Sequence, residues 1–206
     1  VLRNAAALQV SGCVPGVRPR VLLAALMLAA LPAAAADAEA SKAKAEPCLA
    51  CHGPGGNSAN PQYPSLAGQQ PLYVQLQLIQ FREGRRKDPQ MSPMAASLSD
   101  ADAKALGEYF AAQPPKAAAA AKEPERVERG KAIAARLHCN SCHMPTFLGQ
   151  QHIPRLASQH YDYLVRSLRG FKSNTRPDFD GLMVESAQPL NDNDILDVAA
   201  YLSSLP

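Results

Sequence analysis

Cys48-Leu49-Ala50-Cys51-His52 and Cys139-Asn140-Ser141-Cys142-His143 are the two stretches on which the reading of this chain turns. Each is a Cys-x-x-Cys-His motif, the attachment signature of a c-type haem. Two thiols one helical turn apart reach the two vinyl groups of one porphyrin, and the next residue offers an imidazole to the iron. Four of the chain's five cysteines lie in these two copies. A Cys-x-x-Cys pair alone also fits half a zinc site, a redox dithiol or a disulfide. A zinc ribbon spaces its pairs roughly 15–20 residues apart, whereas 87 residues lie between Cys51 and Cys139. A thioredoxin-like dithiol sits in a βαβ unit, and no strand-like alternation flanks either motif. Neither alternative needs a histidine directly after the second cysteine. The motifs therefore predict two covalently bound haems, with Cys48, Cys51, Cys139 and Cys142 in the thioether bonds and His52 and His143 on the irons.

The motifs head two copies of one longer pattern. Tyr63-Pro64-Ser65-Leu66-Ala67-Gly68-Gln69 returns as Ile153-Pro154-Arg155-Leu156-Ala157-Ser158-Gln159, Tyr73 as Tyr163 and Phe81 as Phe171. Met91, Ala95, Leu98 and Asp100 return as Met183, Ala187, Leu190 and Asp192, and Tyr109-Phe110 as Tyr201-Leu202. The offset stays between 90 and 92 residues, so a single haem-binding module has been duplicated. Gln113-Pro114-Pro115-Lys116, five alanines and Lys122-Glu123-Pro124 form a linker of shifted composition between them. This divides the chain into a leader over 1–36, a first domain over 37–112, a linker over 113–124 and a second domain over 125–206. Lobes of about 80 residues are small for an independent apolar core, and the chain has no Trp and only 6 Tyr and 5 Phe. A buried porphyrin would supply the missing bulk.

Residues 1–36 read as an export signal. Arg3, Arg18 and Arg20 precede or flank an apolar run from Val21 to Leu31, and Ala33 to Ala36 give an A-x-A cleavage site before Asp37. The run is short for a membrane span of roughly 20 residues; left uncleaved, it would associate the protein with the membrane. Cys13 precedes the run and would be lost on cleavage. Removing three arginines from 21 basic residues leaves 18 against 18 acidic ones. A formally neutral mature chain with no basic patch and no interleaved aromatics gives no sign of nucleic-acid binding. Export to the periplasm is the expectation.

The rest reads as helices and loops. Glu125 to Leu137 follows Pro124 and runs into Cys139, with Val127, Gly130, Ala134 and Leu137 on one face. Its counterpart, Ala38 to Glu46, is expected to be interrupted by Pro47. Pro71 opens a helix to about Glu83 with Leu72, Leu76 and Ile79 on one stripe and Gly84 as its stop; Tyr161 to Gly170 mirrors it. Ser99 with Asp102, and Asn191 with Asp194, resemble capping boxes opening the last helix of each lobe. Leu106, Tyr109, Phe110, Val198, Tyr201 and Leu202 are expected to face the cores.

The far face of each iron needs a second donor. Met91 aligns with Met183, at His-to-Met gaps of 39 and 40 residues, whereas Met94 aligns with Ser186 and Met144 is adjacent to His143. A lone methionine is usually core filler; two at the same place in two haem repeats point to thioether ligation. His138, His152 and His160 have no counterpart in the first lobe and read as surface or supporting residues. His/Met ligation closes both faces of an iron, raises its potential and suits single-electron transfer. Pro64 and Pro154 lie twelve and eleven residues after their histidines, where a proline carbonyl can accept the imidazole N–H and orient the ring. Leu66 and Leu156 would pack against the porphyrin, or serve simply as core. Arg82, Arg85, Arg86, Arg155, Arg166 and Arg169 are candidates for haem propionates, or for solvated helix faces.

Cys-x-x-Cys-His-Gly-Pro-x-Gly-Asn-Ser-Ala-Asn-Pro-x-Tyr-Pro-x-Leu-Ala-Gly-Gln, from Cys48 to Gln69, resembles the dihaem cytochromes c of the cytochrome c4 family. Met91-Ser-Pro-Met94-Ala-Ala followed by Leu98-Ser-Asp is similar too, and the resemblance spans residues 40–206. It implies an all-α protein of two tandem class I cytochrome c-like domains, each wrapped around one covalent haem with His/Met ligation, and the haems brought together where the domains meet. It also implies an electron carrier rather than an enzyme, shuttling in the periplasm between redox partners, from a quinol-oxidising complex to a terminal oxidase. The alternative is the cytochrome subunit of a dehydrogenase such as a sulfide-oxidising flavocytochrome. A dihaem peroxidase would need an open or bis-histidine iron. The second lobe departs from the pattern after His143, reading Met144-Pro145-Thr146-Phe147, and the first has no glycine in its opening helix.

Overall fold

Prolines, capping boxes and left-handed residues set most of the helix ends. The computed structural model describes residues 38–117 and 123–206; the expected export segment and the alanine-rich centre of the linker lie outside them. Helix α1 occupies residues 38–52, followed by a 3-10 turn at Pro54–Gly56. Then come α2 (Pro71–Arg82), α3 (Met91–Ala95), α4 (Asp100–Ala111), α5 (Pro124–Arg136), α6 (Cys139–His143), α7 (Tyr161–Lys172), α8 (Leu182–Ala187) and α9 (Asp192–Ser204). Among the described residues the one non-helical pairing is an isolated bridge between Gln150 and Ile153. The all-α expectation holds. Both capping boxes form: Ser99 accepts from the Asp102 N–H and Asn191 from the Asp194 N–H, and each aspartate answers with its own carboxylate.

The helices sort into two groups with separate cores. Ala45, Val74, Leu106 and Phe110 form the first, with Leu49, Leu66 and Leu78 packed against it. The second is larger, built on Ile133, Phe147, Leu164, Phe171, Ile195, Val198 and Leu202 among others. Together the groups make one compact unit over Ala38–Pro206. With so few contiguous buried residues, the first lobe leans hardest on a porphyrin to complete its interior.

Two helix expectations need correction. α1 continues through Pro47 to residue 52. Tertiary packing holds it on both sides of the proline: Ala45 is fully buried upstream, and Cys48 and Leu49 pack downstream. The break falls in the second lobe instead, where His138 adopts φ 54° between α5 and α6. On α2, Val74 and Phe81 are buried and half-buried Leu78 packs against the first core, whereas Leu72 is exposed and half-buried Leu76 and Ile79 belong to neither core. The two stripes lie on opposite faces of a helix that is apolar on both, and periodicity alone does not say which one meets the core.

The second lobe makes its first crossing through a glycine. A Cβ on Gly130 of α5 would lie 1.9 Å from the Asp197 carbonyl oxygen of α9. Arg126 and Arg129 then reach the Asp197 carboxylate at 2.9 and 2.7 Å, and that residue is only 4% exposed. In the first lobe Ala45 of α1 is fully buried and Lys44 pairs with Asp102.

After each motif the two lobes draw one backbone with different residues. Gly53, Gly56, Gly68 and Gly84 are left-handed in the first lobe; Met144, Phe147, Ser158 and Asn174 are left-handed at the equivalent places in the second. Gly56 leaves room for Phe110, which a Cβ would meet at 2.7 Å. In the second lobe Phe147 itself fills the space, 3% exposed and edge-on to Tyr201 at 5.6 Å, and the residue matching Phe110 is the smaller Leu202. The ring has moved from α4 to the loop, and left-handed backbone at a non-glycine residue, worth about 1–2 kcal/mol, is accepted in exchange.

Gly130→Ala is expected to lower stability by roughly 3 kcal/mol, read as a fall in denaturant midpoint. Hydrogen bonds from Arg129, against the opposing effect of burial and with help from Arg126, hold the Asp197 carboxyl below the usual carboxylate range. A depressed folded value contributes stability above the unfolded pKa of about 3.9 and loses it as pH falls through the folded value. Asp197→Asn should thus be less stable than the parent at pH 7, with the gap closing as pH drops below about 4; unfolding curves at the two pH values measure it.

Candidate functional site

Each Cys-x-x-Cys-His motif sits at a helix end that delivers a buried imidazole. His52 ends α1 and His143 ends α6, and both are 5% exposed. His52 Nδ1 lies 2.8 Å from the Pro64 carbonyl oxygen, and His143 Nδ1 3.0 Å from that of Pro154. Each Nδ1–H donates to a carbonyl, so each Nε2 lone pair is left for a metal. Burial pushes both imidazoles below their ordinary pKa, the carbonyl bond opposing it, which favours the neutral form that a metal needs. Burial pushes the Cys48 and Cys139 thiols up, the reverse of a reactive dithiol. Among the described residues no three His, Cys, Asp or Glu side chains meet in a shared site.

The carbonyls are held in place by the loop after each motif. Leu66 and Ala67 N–H both donate to the Gly56 oxygen at 2.7 and 3.1 Å; Leu156 and Ala157 N–H donate to the Phe147 oxygen at 2.8 and 3.1 Å. The identical bonds fix Pro64 and Pro154 beside their imidazoles, and Leu66 and Leu156 are partly buried against the two cores. The left-handed backbone at Gly56 and Phe147 thus serves the histidines.

Met91 opens α3 and Met183 lies in the first turn of α8, both half-buried. Both backbone N–H groups are held by an aspartate earlier in the turn, Asp88 at 2.9 Å and its repeat equivalent Asp178. Met94 is 48% exposed and Met144 is also exposed, with φ 69°. Of the remaining histidines, His138 is the left-handed cap of α6, and His152 sits 3.5 Å from Asp180.

The arginines divide by position. Arg82 binds Asp100, Glu83 and the Leu98 carbonyl, Arg155 binds the Ala157 and Pro206 carbonyls, Arg166 binds Gln62, and Arg169 lies 3.5 Å from Asp192. Arg85 is exposed. Two of the six reach from one lobe to the other, Arg166 to Gln62 and Arg86 to the Tyr163 hydroxyl, and Arg176, absent from the sequence candidates, reaches Tyr73 from the second lobe.

That junction is two-fold. Gln159 Oε1 accepts from Ser65 N–H and its Nε2 donates to Ser65 O, both at 2.9 Å. Gln69 does the same to Arg155 at 2.7 and 3.0 Å. Gln70 Nε2 donates to the Leu148 carbonyl at 2.9 Å, while its counterpart His160 reaches the Ser58 carbonyl with Nε2, also at 2.9 Å. Arg176 donates to the Tyr73 hydroxyl at 2.9 Å and Arg86 to that of Tyr163 at 3.5 Å. Residue i meets j′ and i′ meets j, the signature of an isologous interface formed here within one chain. His160 is a junction residue, concealed because the first lobe carries Gln70 and not a histidine at that place. The sequence signal for the others was their identity at equivalent repeat positions.

The Cytochrome c family model matches residues 127–206, and the model described as cytochrome C oxidase, cbb3-type, subunit III matches residues 34–110. Cytochrome c4 of Thiocapsa roseopersicina is 39% identical over 169 residues, which cover 77% of this chain and 86% of that protein. The chain belongs to the cytochrome c4 family. A solved Acidithiobacillus ferrooxidans cytochrome c4 superposes with a TM-score of 0.71 at 34% identity, covering 78% of this chain and 99% of that one. A thiosulfate dehydrogenase electron acceptor of Thiomonas intermedia is 36% identical over 202 residues, 91% of either protein. The protein is a dihaem electron-transfer cytochrome of two tandem class I folds, each lobe carrying one covalent c-type haem at its Cys-x-x-Cys-His motif.

The residues fit that group. Each motif offers two unpaired thiols beside a neutral imidazole with its Nε2 free, and a buried arginine Nε at the junction, that of Arg176, has no acceptor. Gln159→Ala and Gln69→Ala each leave a backbone N–H and C=O without that partner and should cost about 1–3 kcal/mol. With both changed, the haem absorbance of the holoprotein should unfold in two separate steps rather than one.

Proposed function

We propose that the protein is a periplasmic carrier that takes single electrons from a quinol-oxidising complex and hands them to a terminal oxidase, through two irons each closed by a histidine and a methionine. The ligands are His52 with Met91 and His143 with Met183. The observation that carries this is the matched setting of the two methionines: each lies in the first turn of a short helix, each is half-buried, and each N–H is held by the equivalent aspartate, Asp88 or Asp178. Met94, the competing thioether, faces solvent. A neutral thioether favours ferrous iron and raises the potential. With both faces occupied, neither oxygen nor peroxide can bind without displacing a protein ligand, which argues for a carrier and against a peroxidase.

Haem binding supplies one reversible electron per lobe. The chain's own part is to hold each ring still. Pro64 and Pro154 accept the imidazole N–H and make the opposite nitrogen more basic. Leu66 and Leu156 shield the rings from water. The domains are 37–112 and 125–206, joined by 113–124, with 1–36 as the export signal. Among the described residues no helix is long and apolar enough to cross a membrane.

A second reading is favoured by one specific likeness, that to the thiosulfate dehydrogenase electron acceptor over 91% of both chains. On it, the electrons come from a sulfur-compound dehydrogenase instead of a quinol-oxidising complex. Stopped-flow reduction separates the two. Fast reduction by the quinol-oxidising complex with none by thiosulfate and its dehydrogenase supports the first, and the reverse pattern the second. Recovery in a fixed stoichiometric complex with a dehydrogenase would also count against a freestanding shuttle.

Met91→Ala and Met183→Ala should each remove about half of the near-infrared methionine–iron band of the oxidised protein. A variant with an unchanged band would show that the residue is no ligand, and peroxide turnover by the parent protein would refute two closed sites.

A further inference from the structure

Four of the six large apolar side chains left exposed among the described residues lie on two segments of the second lobe. Met144 and Leu148 are on the loop after the motif. Phe179, the most exposed of the six at 62%, and Leu182 are on the methionine turn. Single exposed apolar residues need no explanation, but a group gathered on one face marks an interaction surface. The two segments touch. The His152 ring packs against that of Phe179 with centroids 6.3 Å apart, and its Nε2 lies 3.5 Å from the Asp180 carboxylate. Asp180 also accepts the Leu182 N–H at 3.2 Å, which holds the turn with both apolar side chains outward.

The duplication supplies a control. In the first lobe Gly53 and Asn57 stand where the second has Met144 and Leu148, and Gln90 stands for Leu182. Phe179 has no counterpart, because the second turn is longer by two residues. The aspartate that holds the methionine N–H lies three residues before Met91 and five before Met183. Both methionines nevertheless enter the first turn of a short helix. The two extra residues are therefore not needed to set the methionine, and an exposed ring adds nothing to a core. What they add is surface.

The charges differ in sign as well. From 144 to 153 there is no Asp, Glu, Lys or Arg, and from 177 to 185 the charged residues are Asp178, Asp180 and Glu185. Glu185 is exposed and follows Leu182 by three residues on α8, so the two share a face. The first lobe's turn carries Arg85 and Lys87, both exposed, where the second has Thr175 and Pro177. The second lobe's turn thus has an apolar centre and an acidic rim, and the first lobe's turn a basic one.

We propose that Met144, Leu148, Phe179 and Leu182 form the docking face for an electron-transfer protein whose own contact surface is apolar and ringed by lysines or arginines. The inference rests on the carrier reading and gives it a direction. Such a partner meets the second lobe, next to His143 and Met183, and is turned away from the basic turn of the first. The apolar centre supplies the contact, and the rim charges guide the approach, acting mainly on the association rate.

The experiment is stopped-flow oxidation of the reduced holoprotein by two inorganic probes, each of which takes one electron from a ferrous iron and leaves it ferric. Tris(phenanthroline)cobalt(III) is a cation with apolar ligands, and ferricyanide is an anion. The parent is compared with Phe179→Ser and Glu185→Lys, and with Met94→Ser, which removes an exposed apolar side chain from the first lobe. With the cobalt probe at low salt, Glu185→Lys is expected to slow oxidation by roughly tenfold and to weaken its decline with added salt. Phe179→Ser should slow it several-fold at any salt. Neither variant should slow ferricyanide, and Met94→Ser should leave both rates at parent values. A cobalt rate unchanged in both second-lobe variants overturns the proposal, and an equal loss in Met94→Ser overturns its assignment to the second lobe. A dimer of the parent in sedimentation, or its binding to phosphatidylcholine vesicles, abolished by Phe179→Ser, would give the face to a second copy or to a lipid surface and equally overturn it. Haem content, the methionine–iron band and both potentials should match the parent in every variant, so that a slower rate reports access alone. Failure of the carrier reading is distinguishable, since the parent would lack that band before any probe is added.

Discussion

The bond from a buried imidazole N–H to a proline carbonyl, made once in each lobe, is the constraint around which the rest is arranged. His52 and His143 are sealed from water, so an unpaired Nδ1–H would cost on the order of 1–3 kcal/mol. The bond removes that cost and leaves Nε2 as the nitrogen free for a metal. Meeting it requires the chain to leave the motif, turn sharply and come back eleven or twelve residues later with a free carbonyl. Proline suits the place because it keeps its carbonyl and gives up a donor that would need a partner of its own. The carbonyl of Gly56 or Phe147, taking two N–H groups at once, closes the turn.

Duplication lets the two solutions be compared inside one chain. Where the first lobe uses glycines for left-handed backbone, the second uses Met144, Phe147, Ser158 and Asn174. Matching hydrogen bonds show that the turn is demanded by the site and not by the residues that happen to occupy it. The second lobe can carry the strain because its core is the larger one and Phe147 adds a buried ring to it. The first lobe has no such reserve, and there the low-strain glycines remain. The two lobes consequently differ in the composition of the loop that follows each motif and of the core behind it.

Much of this was legible in the sequence, and the rest was hidden for stateable reasons. The motifs carried the cofactor, and Ser99 and Asn191 marked two helix starts, because each of these signals is local. The stripe on α2 was misread because the helix is apolar on two faces and only tertiary contact tells Val74, Leu78 and Phe81 from Leu72, Leu76 and Ile79. Pro47 was read as a break because its local cost is real, whereas the packing of Ala45, Cys48 and Leu49 that outweighs it is not local. The junction had the faintest signal. Gln69 and Gln159, or Tyr73 and Tyr163, stand out as repeated residues, but repetition fits either contact with the haem or contact with the other lobe. Arg176 repeats Arg86 at the 90-residue offset, but nothing local pointed to its partner, Tyr73, 103 residues away.

Two domains joined by a linker are expected to move against each other unless their interface is large and apolar. Here the contact is polar, yet its bonds go to backbone at Ser65 and Arg155, one residue beyond the carbonyls that orient the imidazoles. Any hinge motion would have to break paired N–H and C=O bonds in both directions at once, and it would drag the histidine loops with it. Rigidity of the junction and fixed orientation of the two imidazoles are thus one property. For a molecule that works by moving electrons and not atoms, that coupling matters more than buried area, because it lets two small lobes with modest cores behave as a single stiff body.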